Sequence, residues 1–245
     1  MIIELLLIFI ILLAGSFIQG VSGFGFGLIA MSFLPLLFTI KESTLLVVSL
    51  ALVVAVSIGL QMWKHIKWKS LGVLLGAALV GRVGAFFVLS RYGELDIMRD
   101  ILGAFLLMVV AYLFFGAAKA KNVSIKALWL PILFGFLGGF VGGIFAVGGP
   151  FFVFVLMILY ADDKYAYSAN MQVTFMFTNA ITILLHAVNR DFTSGFLLYF
   201  LVGVVTVLIG TKLGVICFKY ISQENMRRVA GAVVALAALN LLLFQ

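Results

Sequence analysis

Hydrophobic positions along this chain come in long blocks, and polar positions gather in short clusters between them. The clusters lie at Lys41–Glu42, at W-K-H-I-K-W-K (63–69), at 91–100, 119–126, 162–164 and 189–191, and at 219–228. The apolar blocks between them cover 1–38, 43–62, 70–90, 101–118, 127–160, 166–188, 195–217 and 229–244. A helix needs roughly 20 apolar residues to cross a bilayer core. Six blocks have the length of one span. The first and fifth are longer, and each is interrupted by glycines. The pattern predicts an all-α integral membrane protein, a polytopic helical bundle.

Composition closes off the alternatives. Of 245 residues, 65% are hydrophobic and 10% charged, with a mean hydropathy of +1.29. Soluble domains carry about 25% charged residues, so no soluble domain fits between the blocks. The first block has no basic start and no small-residue cleavage site, and is expected to be a retained helix rather than a signal peptide. The single cysteine, Cys217, lies in an apolar run. The net charge is +7, but the cations flank helix ends. Orientation in a lipid bilayer explains them, and nucleic-acid binding does not.

The blocks repeat. G-V-S-G-F-G-F-G (20–27) lies over G-I-F-A-V-G-G-P (143–150) at an offset of 123, and Lys41 falls on Lys164 at the same offset. V-G-R-V-G (80–84) then resembles I-G-T-K-L-G (209–214), and M-R-D-I-L-G-A (98–104) matches M-R-R-V-A-G-A (226–232). Four matches in one order argue for an internal duplication: a first membrane repeat at 1–118, a basic cytoplasmic linker at 119–126, and a second repeat at 127–245.

Charge then orients the halves. Suppose each long block returns to the side it entered, as a re-entrant hairpin or as two short crossings. Lys64, Lys67, Lys69, Lys119, Lys121, Lys126, Lys164, Lys219, Arg227 and Arg228 then share one face, leaving Lys41, Arg91, Arg99 and Arg190 on the other. A single crossing by each long block would split the same cations seven against seven. Basic loops stay cytoplasmic, so the uneven split favours two inverted repeats with both termini outside. Each repeat would open with a glycine-broken helix hairpin and continue with three spanning helices, a recurrent plan among secondary transporters.

The glycines are the most informative residues. Gly15, Gly20, Gly23, Gly25 and Gly27 cluster in the first block. Gly135, Gly138, Gly139, Gly142, Gly143, Gly148 and Gly149, followed by Pro150, cluster in the fifth. Glycine weakens a helix interior by roughly 0.8–1.0 kcal/mol relative to alanine, and proline by about 3. Gly135, Gly139 and Gly143 have the small-xxx-small spacing of close helix packing. Gly23, Gly25, Gly27, Gly148, Gly149 and Pro150 read better as breaks lining a substrate path. A half-helix starting there would aim free N–H groups at an anion.

These paired motifs, G-x-x-x-x-G-x-x-G-x-G-x-G early and G-G-x-x-G-G-x-x-x-V-G-G-P after the midpoint, resemble those of the TauE/SafE family of sulfite exporters and sulfonate uptake permeases. The resemblance extends over the whole chain. It implies transport of a small sulfur-containing or organic anion across the bacterial or archaeal cytoplasmic (inner) membrane. Phe24 and Phe26 between the early glycines, and Ala146 where a glycine is usual, depart from the commoner pattern, so substrate identity does not carry over.

Polar residues within the blocks complete the candidate site. Arg82 in the third block and Lys212 in the seventh are expected toward opposite mouths of an anion path; snorkelling to the interface is the competing role. Asn170, Thr174 and Thr178 share one helical stripe, with Gln172 and Asn179 off it; interhelical hydrogen bonding competes with substrate contact. Gln19 and Ser22 flank the first glycine cluster. Substrate-binding candidates are therefore Gln19, Ser22, Gly23, Gly25, Gly27, Arg82, Gly148, Gly149, Pro150, Asn170 and Gln172, placed where the two breaks meet near the midplane.

Other chemistries find little footing. The acids all lie near block ends, there is no P-loop, and His65 and His186 are expected to be interfacial, without metal-ligand spacing. No cofactor, metal or catalytic residue is expected. The leading function is a secondary transporter for a small organic or sulfur oxyanion. A non-transporting membrane subunit or assembly partner, or a channel, are the alternatives. A homo-oligomer is compatible with the sequence, and no residue singles out a coupling ion.

Overall fold

The computed structural model describes residues 2–111, 128–160, 163–218 and 220. The basic linker at 119–126, the cluster at 219–228 apart from Tyr220, and the last apolar block lie outside the described residues. Within them the chain forms nine α-helices. These are α1 (Ile2–Ser22), α2 (Phe26–Phe33), α3 (Ile40–Met62), α4 (Trp68–Tyr92), α5 (Ile97–Ala111), α6 (Trp129–Phe145), α7 (Gly149–Leu159), α8 (Lys164–Val188) and α9 (Phe196–Cys217). Five are long and apolar enough to cross a membrane: α1, α3, α4, α8 and α9. This is a multi-pass membrane bundle, as the block pattern predicts.

Several helix boundaries have a local cause. A short 3-10 turn at Leu34–Leu36, with Pro35 inside it, ends the α2 segment. Thr39 then starts α3 with a capping box: its hydroxyl accepts from Glu42 N, while the Glu42 carboxylate accepts from Thr39 N. That reciprocal pair satisfies two N–H groups that a helix start leaves free. At α8 the Asp163 carboxylate accepts from Tyr165 N and Ala166 N.

Glycines decide which helices touch. A Cβ on Gly135 would lie 2.6 Å from the Leu74 carbonyl oxygen, and one on Gly139 would collide with the Ala78 carbonyl oxygen. Gly81 answers from α4, where a Cβ would strike the Phe136 carbonyl oxygen. So α6 lies along α4 at backbone distance. On the other flank, α1 lies along α9, where Cβ atoms on Gly210 and Gly214 would strike Ser16 and Phe17. Without a hydrophobic drive between helices in lipid, such close approach is what holds them. Helices α3 and α8 pack together between these two pairs.

The contacts also give direction. Leu12 meets Gly203 and Gly20 meets Gly214, so α1 and α9 run parallel; Leu74 meets Gly135 and Ala85 meets Gly143, so α4 and α6 do too. Past Ser22 the chain turns back, and Phe26 and Ile29 pack beside Gly15. Past Phe145 it turns back again, with Phe152 against Gly138. The first long block leaves from and returns to the end of the bundle where Lys41 N bonds Gly93 O. The second returns to the opposite end, where the Tyr160 and Ser70 hydroxyls meet at 2.5 Å. Both long blocks are thus hairpins, entering from opposite ends.

Candidate functional site

The two hairpin tips meet inside the bundle. Helix α1 stops at Ser22 because Gly23 (φ 81°) and Gly25 (φ 112°) take left-handed backbone, a region that costs a Cβ-bearing residue 1–2 kcal/mol. Helix α6 stops at Phe145 because Ala146 takes φ 56°. Ala146 lies at offset 123 from Gly23, so alanine holds the left-handed position that glycine fills in the first half. Pro150 sits in the first turn of α7, where its missing N–H costs no bond. Gly27 is pressed so closely against the Ala146 carbonyl oxygen that a Cβ could not fit. Gly149 lies under the Phe24 and Phe175 rings.

Between the tips is a small cavity of about 20 Å³, room for about one water. It is lined by Gln19, Gly25, Gly27, Leu28, Ala51, Arg82, Ala146, Val147, Gly148, Gly149, Phe175 and Asn179. The first turns of α2 and α7 both border it. Of the candidate residues, Gln19, Gly25, Gly27, Arg82, Gly148 and Gly149 come together here.

Others form a supporting layer or lie elsewhere. Gln172 donates to the Gly23 carbonyl oxygen at 2.8 Å and accepts from Gln19 Nε2 at 3.0 Å, tying α8 to the first break. Ser22 turns its hydroxyl onto its own backbone, with the Ile18 and Phe24 carbonyl oxygens at 2.8 and 2.5 Å. That makes it a cap for the break rather than a wall of the cavity. Pro150 faces a separate apolar groove with Phe105, Met108 and Phe134. Asn170 does not join the group. Its side chain accepts from Lys67 N at 3.0 Å and donates to Ala166 O at 2.7 Å, about 12 Å along α8 from Thr178 at 1.5 Å per residue.

Arg82 departs furthest from its expected position. It is 2% exposed and lines the central cavity instead of a mouth. Its Nη1 donates to Gly142 O at 2.8 Å and Thr182 Oγ1 at 3.1 Å. Its Nη2 donates to Asn179 Oδ1 at 3.2 Å and Thr178 Oγ1 at 3.5 Å. All these acceptors are neutral. Among the described residues no carboxylate pairs with it. Arg82 Nε and Asn179 Nδ2 are buried donors with no partner. Lys212 is exposed on the outside of α9, and the buried residue beside it is Thr211.

Neither Asn179, noted in the sequence only as lying off the polar stripe, nor Thr182 was among the expected substrate-binding residues. Asn179 and Thr182 sit on α8 opposite Arg82, and only the packing of α4 against α8 brings them to it. Thr182 continues the Asn170–Thr174–Thr178 stripe by one turn, a signal the sequence did hold. His186, expected at an interface, is fully buried one turn beyond.

Two glycine-broken hairpins thus meet inside a helical membrane bundle, beside a buried cation. The family model of the sulfite exporter TauE/SafE matches residues 7–241, and the chain belongs to that family. Its class is accordingly that of transporters of sulfite-type anions. No curated protein and no solved structure matches.

Proposed function

We propose that this protein is a secondary transporter whose substrate, a small sulfur-containing or organic anion, binds between the two hairpin tips with Arg82 as its counter-charge. One observation carries the reading: a buried guanidinium, without a carboxylate partner among the described residues, lines the cavity between the breaks. An unpaired buried charge is among the most expensive groups a fold can hold. The guanidinium's own Nε has no partner, and neither does the neighbouring Asn179 Nδ2. The N-terminal turns of α2 and α7 add partial positive charge. An oxyanion would satisfy all of them.

The cavity, with room for about one water, corresponds to a closed arrangement that must widen toward one face at a time. The glycine seams of α1 on α9 and α6 on α4 supply surfaces on which one hairpin can move against its neighbour. Two inverted repeats, residues 1–118 and 127–245, with both termini outside a cytoplasmic membrane, are the topology we infer. Hairpins that enter from opposite ends support it.

The test is flux in liposomes containing this protein alone, over a panel of sulfite, sulfonates, sulfoacetate and small carboxylates. Wild-type protein should show saturable, competitive flux of at least one of these anions. Arg82→Gln, which keeps donors but removes the charge, should lower the maximal rate at least about tenfold; hydrogen bonds to charged groups are worth 1.5–3 kcal/mol. Arg82→Gln protein that is folded and transports normally would overturn the site.

A further inference from the structure

The polar stripe of α8 continues past the anion site. One turn beyond Thr182, which accepts from Arg82, stands His186, and nothing in anion binding uses it. Its Nδ1 lies 2.6 Å from Asp191 Oδ2. Asp191 follows α8, and there burial would raise its carboxyl, but hydrogen bonds from Lys41, Asn189 and His186 outweigh that and hold it at about 2. It is therefore an anion and only accepts. Nδ1 must carry the hydrogen, which leaves the lone pair on Nε2. That atom is buried and has no partner.

The surroundings are polar on one side only. From α3, Lys41 Nζ reaches Asp191 Oδ1 at 2.8 Å and Glu94 Oε1 at 3.4 Å, and Glu94 is exposed. From α4, the Ser90 hydroxyl donates to Asp191 at 3.3 Å, the Phe86 ring meets the imidazole edge-on at 5.0 Å, and Arg82 lies one turn below Phe86. From the connection after α8, Asn189 Nδ2 donates to Asp191 at 3.0 Å. Asp191 also borders a cavity of about 280 Å³ at the Lys41 end, which Glu42 and Tyr199 help to line. A chain of groups thus leads from that cavity through the carboxylate to a free imidazole nitrogen, one helical turn from the residue that holds Arg82.

We propose that His186 Nε2 is the proton-binding site that couples anion movement to proton movement in the same direction, an inference that rests on Arg82 as the anion site. The step is simple addition: a proton from water joins the Nε2 lone pair, no protein bond breaks, and the imidazolium stays paired with Asp191. The coupling is electrostatic. Protonated His186 and Arg82 are like charges within about two turns of each other, and both are buried. An anion on Arg82 removes that repulsion, so anion and proton each favour the other's binding, reciprocally.

Proteoliposomes with a trapped pH dye and labelled sulfite, sulfoacetate or methanesulfonate test this, read as the difference between wild type and variants. In wild type, proton uptake should accompany anion uptake, and apparent anion affinity should weaken by up to about tenfold per pH unit on alkalinisation. His186→Gln should lose proton uptake and this pH dependence, while still exchanging labelled for unlabelled anion, which needs no net proton movement. Asp191→Asn keeps the imidazole but removes its counter-charge, and should move the affinity profile to lower pH. Anion flux in wild type without proton movement overturns the coupling alone, as does His186→Gln protein with undiminished proton uptake. If His186→Gln fails to fold, an unmoved profile in Asp191→Asn overturns it instead. Absence of all anion flux in wild type removes the anion site and this inference together.

Discussion

Ala146 shows how much one residue can reveal about a break. Its φ of 56° is a conformation that L-residues avoid by 1–2 kcal/mol, and the matching position of the first half is glycine. Ala146→Gly should therefore stabilise the fold by up to about 1 kcal/mol, the relief of strain being partly offset by glycine's larger unfolded-state entropy. Thermal unfolding in detergent would show a raised midpoint, and a drop of several degrees would mean that the alanine methyl makes contacts outweighing its strain. The sequence marked this residue as unusual. It did not say that the backbone there is left-handed, because φ is set by where α7 must turn back.

Among the elements, glycines divide into two kinds that look alike in sequence. Gly139 on α6 rests on the Ala78 carbonyl, whereas Gly76 on α4 has open space where a Cβ would go. Gly76→Ala should be neutral or gain up to about 1 kcal/mol from helix propensity. Gly139→Ala forces α6 away from α4 and should cost about 1–3 kcal/mol, as overpacking does. Measured side by side, the unfolding midpoint of Gly139→Ala should fall while that of Gly76→Ala holds or rises; equal shifts would mean the seam is looser than it looks. The small-xxx-small spacing of Gly135, Gly139 and Gly143 made this packing legible beforehand. Which face of α4 receives them was not, since a spacing names a surface and not its partner.

For the whole molecule the testable quantity is sidedness. The bundle gathers Lys41, Gly93 and Asp191 at one end, and Lys67, Tyr160 and Asn170 at the other. In a Cys217→Ser background, cysteines at Lys64 and Lys164 should label from the cytoplasmic face, and those at Glu94 and Arg190 from outside. Labelling of positions 64 and 164 from opposite faces would break the inverted arrangement, because basic loops are held on the cytoplasmic side by the positive-inside rule.

By itself the sequence determined the solvent, the kind of elements, and where two of them break. Apolar block length, charge clusters and glycine spacing are local quantities, and lipid leaves a chain few alternatives to helices. The family resemblance was equally legible, because its motifs are contiguous. Only the tertiary structure decided which polar residues share a site. Arg82 meets Thr178, Asn179 and Thr182 about a hundred residues away, and Lys41 meets Asp191 and through it His186. Asn170, on the same stripe, faces a loop instead. Helical periodicity fixes which side chains share a stripe, but the angle and depth at which helices pack decide what that stripe touches. Those depend on the backbone contacts at Gly81, Gly139 and Gly27, which exist only once the hairpins have closed on each other.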